Sequence, residues 1–357
     1  MANAKNGTFN LIIERHGGVG DCLMASPIVR HFRHYPPLQA EGRKLRIIFS
    51  TQKRNHFLFE HTPWGPDGTR CVDEKVELFP IQWRLHHRDV EDQGFIEQCR
   101  ANLSKIPYKP DAVISFFEAI ERNPASDRKN AYDYHFEWIG LDPAEIPGDW
   151  KRPLYTPRPR ELGAAQKLLA PCPGSKHKRI AVQMHASSLP RTWDKMDRLI
   201  RALCRRYPDA AVYSLGDPHA AILEPAPWER ERNYMPLCGK TFGDGRLWGA
   251  IIASMDLLVG VDSGALHLAG ALGVPLVGIF STVPAWTRIK YYRDAVGIDS
   301  RHACAPCFRI GMTCGMSTPT PGQDFIPSMD LRGKNHAYPC LASIGVDEVM
   351  ESVGKIH

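Results

Sequence analysis

The sequence predicts an α/β protein built as two doubly wound halves, each a parallel sheet with helices on both faces. Three observations predict it. Short aliphatic runs alternate with helical stretches along most of the chain. A strand–turn–helix–strand unit is written out without interruption between Met255 and Phe280. A stretch rich in proline and charge, Asp142 to Pro159, lacks periodicity and divides the alternation in two, as a linker does. The length of 357 residues and a hydrophobic content of 43% suit two globular cores.

Taken in order, Phe9 to Arg15 reads as the first strand, and His16 to Asp21 as a tight glycine loop. A helix from Cys22 to His34 stops before Pro36-Pro37. Leu45 to Ser50 and Glu77 to Ile81 read as strands, 93–103 as a helix, 111–117 as a strand, and Tyr132 to Ile139 as a helix ended by Gly140. Past the linker come helix Arg160 to Leu169, strand Arg179 to Met184, helix Asp194 to Arg206, strand Ala211 to Leu215 and helix Gly243 to Ser254. The expected domains are 1–150, 151–300, a cysteine-rich segment at 301–345 and a terminal helix at 346–357.

Three sites carry chemistry. The strand Leu257–Val261 runs into Asp262-Ser263-Gly264, and a helix from Ala265 to Leu272 follows, stopped by Gly273. A strand that turns into a helix there offers free N–H groups and a positive dipole end to a phosphate, and Gly264 does not block the approach. His267, on the first turn, is placed to bond a phosphate or to fix Asp262. The loop Gly17-Gly18-Val19-Gly20-Asp21 departs from dinucleotide-fingerprint spacing, and no acid ends the second strand. Its glycines admit another molecule to the backbone, and Asp21 stands at a helix start. That carboxylate either accepts a hydroxyl proton or caps the helix. The loop His185 to Trp193 follows the first strand of the second half. It holds Ser187 and Ser188 as hydrogen-bond donors and Arg191 as a fork for a diphosphate. Ligands of such sheets bind outside the carboxyl ends of the strands, so two facing halves would share a cleft.

Ten cysteines are many for a reducing compartment, and Cys304, Cys307, Cys314 and Cys340 cluster late in the chain. A C-x-x-C pair with two further thiols suits tetrahedral zinc or iron, with His302 and His336 as alternative ligands. A thiolate-saturated ion has no open position, which makes its role structural. The segment around these cysteines is too rich in Gly, Pro, Ser and Thr to hold a shape without a staple.

The net charge of +6 admits anionic partners without calling for nucleic acid. No apolar run reaches the roughly 18–20 residues that span a bilayer. The N-terminal stretch lacks a secretory core. Both points place the protein in the cytoplasm, at most peripheral to the inner membrane, with an oligomer allowed.

The glycine loop at 17–21, the segment from His185 to Trp193, and Val261 to Ala269 together resemble the bacterial heptosyltransferases, glycosyltransferase family nine, from about Leu11 to Phe280. The resemblance implies a GT-B fold of two Rossmann-like domains facing across a cleft. The first would hold a glycan, lipid-linked or protein acceptor, and the second a nucleoside-diphosphate sugar such as ADP-heptose. It implies inverting transfer by direct displacement, without a catalytic metal. Residue by residue, it makes Asp21 the general base and assigns Asp262, Ser263, Gly264 and His267 to the donor turn. Arg191 stands where many members carry a lysine two residues before a tryptophan. A similar cysteine finger occurs in the autotransporter heptosyltransferases, which carry iron and modify protein hydroxyls. The competing readings are another GT-B enzyme such as a nucleotide-sugar epimerase, and a metal-stapled nucleic-acid-binding protein. The first needs additional acid–base residues, and the second needs a stronger basic footprint.

Overall fold

The computed structural model describes residues 7–34, 43–60, 72–78, 101, 104, 106–107, 109–116, 128–173, 177–187, 191–308 and 338–356. The chain divides into two compact units, Met1–Thr156 and Pro157–His357. The first contains β1 (Thr8–Glu14), α1 (Val19–Arg33), β2 (Lys44–Ser50), a 3-10 turn (Lys53–Phe59), β3 (Glu74–Val76), β4 (Ala112–Ser115), α2 (Ala131–Trp138) and α3 (Gly148–Lys151). Its strands lie in the order β3-β2-β1-β4, and every pairing is parallel. The order reverses between β1 and β4, and the loop after β1 opens at that switch point.

α1 begins three residues earlier than the sequence pattern suggests. Asp21 accepts a bond from the backbone of Gly18 and closes the helix N-terminus, so Val19 and Gly20 are already helical. Pro27 lies inside this helix and lacks the N–H that would bond Leu23. The hydroxyl of Ser26 donates to the Leu23 carbonyl instead, at 2.7 Å. The stretch read as a bare linker is also structured. It carries a 3-10 turn at Pro143–Glu145 and then α3. Trp150 of α3 lies under the Arg30 guanidinium, 4.6 Å from its ring centre, and Lys151 pairs with Asp133 at 2.7 Å. Proline and charge hid two side chains that tie this segment to α1 and α2. The third strand falls at Glu74–Val76 rather than 77–81. The helix expected at 93–103 lies almost wholly outside the described residues.

The second unit contains α4 (Pro159–Leu169), β5 (Lys178–Gln183), α5 (Met196–Arg206), β6 (Ala210–Leu215), β7 (Tyr234–Pro236), α6 (Gly245–Ala253), β8 (Leu257–Val261), α7 (Gly264–Leu272), β9 (Leu276–Phe280), α8 (Trp286–Ile289), β10 (Ala295–Asp299), α9 (Pro339–Ala342) and α10 (Val346–Ile356). Its six parallel strands lie in the order β10-β9-β8-β5-β6-β7. Counted from β5, this is the 3-2-1-4-5-6 order of a doubly wound dinucleotide-type sheet. β6, β8 and β9 are buried along their whole length, as strands covered on both faces must be. β7 and β10 escape the pattern because they are edge strands, short or only partly buried. No helix among the described residues is long and apolar enough to cross a membrane.

Candidate functional site

In the first unit the site grows from the carboxyl end of β1. Arg15 extends the ladder by donating its N–H to the Ser50 carbonyl at 3.0 Å. Gly17 has φ +123°, a conformation closed to other residues, and a Cβ there would sit 2.5 Å from Asp21 Oδ2. The bare backbone lets the Asp21 carboxylate fold back over the loop. Oδ2 accepts the N–H of Gly18 at 2.7 Å, and Oδ1 accepts a guanidinium N–H of Arg15, also at 2.7 Å. The Arg15 side chain is 2% exposed and that of Asp21 35%, so a buried cation backs a carboxylate that solvent still reaches. Asn55, from the turn after β2, donates to the Gly17 carbonyl at 3.0 Å and fixes the loop from the side. Gly20, read as part of the loop, is buried in the first turn of α1.

Two of the groups around this carboxylate carry no charge near pH 7. Burial first, and then the neighbouring Arg15, bring the His16 imidazole down to about 4, so it is neutral near pH 7. Burial pushes the Cys22 thiol up to about 12, and its sulfur lies 3.0 Å from the Thr51 hydroxyl. Buried Glu14 accepts the Ser115 hydroxyl at 2.6 Å and the His16 N–H at 3.2 Å.

In the second unit the candidate residues flank the switch point between β5 and β8. Arg191 joins the two sides. Its Nη1 donates to the main-chain carbonyl of Asp262 at 3.1 Å and lies 3.5 Å from the carboxylate. Its Nη2 donates to the Ser187 hydroxyl at 2.8 Å. The fork expected to hold a diphosphate also ties the β5 loop to the turn after β8. Burial by itself raises the Asp262 carboxyl. The imidazole of His267 and the cations of Arg191 and Arg288 outweigh it and keep the group well below the usual carboxylate range. His267 is 3% exposed, with Nε2 3.5 Å from Asp262 and Nδ1 2.6 Å from the Tyr292 hydroxyl. A carboxylate only accepts, so Nε2 carries a proton toward Asp262. Tyr292 reaches His267 because Gly270 has no Cβ; one would meet the Tyr292 ring at 2.4 Å.

Ser263 is the N-cap of α7, yet its side chain makes no capping bond. Its Oγ is buried without a hydrogen-bond partner among the described residues, as are Thr282 Oγ1 and Gln183 Oε1. These three atoms sit at or just beyond the carboxyl ends of three adjacent strands, β8, β9 and β5. A buried polar atom without a partner costs about 1–3 kcal/mol, which makes these three strand ends a candidate place for a polar ligand. Ser188 lies outside the described residues.

The late cysteines are only partly brought together. Cys304 Sγ lies 3.1 Å from His302 Nδ1, Cys307 is exposed, and Cys340 is buried in the apolar core of the second unit. The Ser300 hydroxyl donates to the Cys340 carbonyl at 2.7 Å and ties the two segments to each other. Among the described residues no group of three or more His, Cys, Asp or Glu side chains is assembled to hold a metal ion. Cys314 and His336 lie outside them. The cysteine-rich insertion expected from the sequence is thus not seen as a metal centre.

Sequence reasoning missed Arg15, Gln183, Arg288 and Tyr292. The signal for the first two was available: a polar residue at or just past the carboxyl end of a buried parallel strand. Arg288 and Tyr292 carry no local signal, because packing alone brings them to Asp262 and His267.

Two doubly wound parallel sheets, with candidate residues at their carboxyl edges, match the GT-B architecture. Residues 148–316 match the model of glycosyltransferase family 9 (heptosyltransferase). Among solved structures, the chain is similar to a family 9 glycosyl transferase from Veillonella parvula. Identity is 13%, coverage 98% of this chain and 97% of that one, and the TM-score 0.62. It is also similar to the E. coli ADP-heptose LPS heptosyltransferase II, at 14% identity, 98% coverage of both chains and a TM-score of 0.59. A third is TibC, the iron-containing dodecameric glycosyltransferase of enterotoxigenic E. coli. Here identity is 13%, coverage 99% of this chain and 77% of that one, and the TM-score 0.55. No curated protein matches the sequence.

Proposed function

We propose that this chain moves heptose, with inversion, from ADP-heptose to a hydroxyl of a lipopolysaccharide core or related glycan. The observation that carries the reading is the uncapped start of α7, together with the orphaned oxygens of Ser263, Thr282 and Gln183 at the carboxyl ends of three adjacent strands. Amides and dipole there favour the diphosphate, and they favour it most as negative charge grows on the leaving group. ADP-heptose is named for two of the structural relatives, the E. coli heptosyltransferase II and a TibC complex with ADP-D-beta-D-heptose. In the step proposed, a lone pair of the acceptor oxygen forms the new bond to the anomeric carbon. The bond from that carbon to the phosphate oxygen breaks, and its electron pair leaves on ADP. The hydroxyl proton passes to the carboxylate of Asp21. Arg191 and Asp262 hold the donor turn, Gly264 leaves room for the phosphate, and Ser187 and Ser188 serve the same site. No step in this reaction draws on a metal.

The test is transfer itself. Given ADP-heptose and a truncated lipopolysaccharide acceptor, the chain is expected to add one heptose per acceptor and release one ADP, read by mass spectrometry. ADP release with free heptose and no adduct would contradict the reading.

A second reading concerns the acceptor and the cysteines. Cys304, Cys307, Cys314 and Cys340 are proposed to hold a structural zinc or iron. The link from Ser300 to Cys340 and the iron of TibC favour this, and a protein acceptor of the autotransporter kind goes with it. Protein purified without added metal is expected to contain about one ion per chain. A folded protein with none would remove the site.

A further inference from the structure

We infer that Arg15 is the positioning residue for the base: its buried guanidinium holds the Asp21 carboxylate in one orientation and keeps it ionised for the acceptor's proton. This rests on the proposed role of Asp21. Three observations carry it. Arg15 is 2% exposed, and a buried cation beside an accessible carboxylate is costly unless the pair has a purpose. The contact is short, 2.7 Å to Oδ1, while the Gly18 N–H takes Oδ2 at the same distance. Both carboxylate oxygens are thus held in place, and with 35% of its side chain exposed the group stays within reach of an acceptor hydroxyl. Gly17 completes the arrangement, since any side chain there would displace the carboxylate.

Among the described groups near the carboxylate, Arg15 bonds it directly as a cation. From β1 and its loop come buried Glu14, held by Ser115, and His16, neutral near pH 7. Cys22 of α1 stays a thiol. The turn after β2 contributes uncharged Asn55 to the loop, and Lys53 and Arg54 on that turn are exposed.

The experiment is the pH profile of heptose transfer at saturating donor for wild type, Arg15→Gln, Arg15→Lys and Asp21→Asn, with ADP binding as the control for folding. Removing a cation beside a carboxylate makes the carboxylate easier to protonate. Arg15→Gln is therefore expected to move the acid limb up by about one pH unit. Arg15→Lys keeps the charge but replaces a planar fork by a point donor. It should leave the limb in place and lower the plateau rate about tenfold, with the KM for donor unchanged. A folded Arg15→Gln protein that binds ADP with an unshifted limb overturns the inference. Should Arg15→Gln not fold, an Arg15→Lys plateau equal to wild type overturns it. Full turnover by Asp21→Asn is a different result: it would sink the role of Asp21 itself. An inactive Asp21→Asn with an unmoved Arg15→Gln limb would sink Arg15 alone.

Discussion

Asp21→Asn is expected to fold, to bind ADP as the wild type does, and to lose heptose transfer by about 10²–10⁴-fold, the contribution of a positioned base. The amide keeps an oxygen for Arg15 but can no longer accept a proton. If that oxygen stays with Arg15, an NH₂ group faces the Gly18 N–H and the cap of α1 is lost, a cost of about 1 kcal/mol. Stability should thus fall slightly and turnover almost completely. ADP affinity should not move, because the residues proposed to bind it belong to the second unit. Retained turnover would mean that Asp21 serves the helix only.

Asp262→Asn is the counterpart in the second unit and is expected to damage both folding and donor binding. The carboxylate balances the cations of Arg191 and Arg288 and lies 3.5 Å from His267 Nε2, and all four side chains are buried or nearly so. Removing one member of a buried charge cluster costs about 3 kcal/mol or more, since the remaining charges keep their burial and lose their partner. The Arg191 link between the β5 loop and the β8 turn should loosen with it, and ADP affinity should drop. The pH dependence gives a second readout. A carboxyl held below its unfolded value contributes stability that is full above the ordinary carboxylate range and is lost as pH falls through the folded value. The gap in Tm between wild type and Asp262→Asn should therefore persist at neutral pH and close only in strong acid. Equal Tm at pH 7 would show that the cluster contributes nothing to the fold.

The stretch from Leu257 to Phe280 could be read almost to the residue because every local cue agrees there. The aliphatic run, the Asp-Ser-Gly turn, the small apolar helix and Gly273 all point to one unit. The start of α1 was harder, because Gly-Gly-Val-Gly has loop composition, and only the bond from the Gly18 N–H to Asp21 makes its second half helical. The role of Arg191 was legible as a cation near a turn, but its partner was not. That partner, Asp262, is 71 residues away in sequence and reaches it through the pairing of β5 with β8. The same holds for Tyr292 and Arg288, which meet α7 and its turn only after β9 has been laid beside β8. A sequence shows which strand ends are polar; the order of the strands decides which of those ends meet.

The most direct measurement is a calorimetric titration of the wild-type chain with ADP, AMP and inorganic phosphate. An uncapped helix start, with orphaned oxygens at the ends of adjacent strands, predicts one ADP per chain, bound at least tenfold more tightly than AMP, with the preference lost in Asp262→Asn. Equal affinity for ADP and AMP, or ADP binding that survives the Asp262 substitution untouched, would contradict a diphosphate cradle at Ser263.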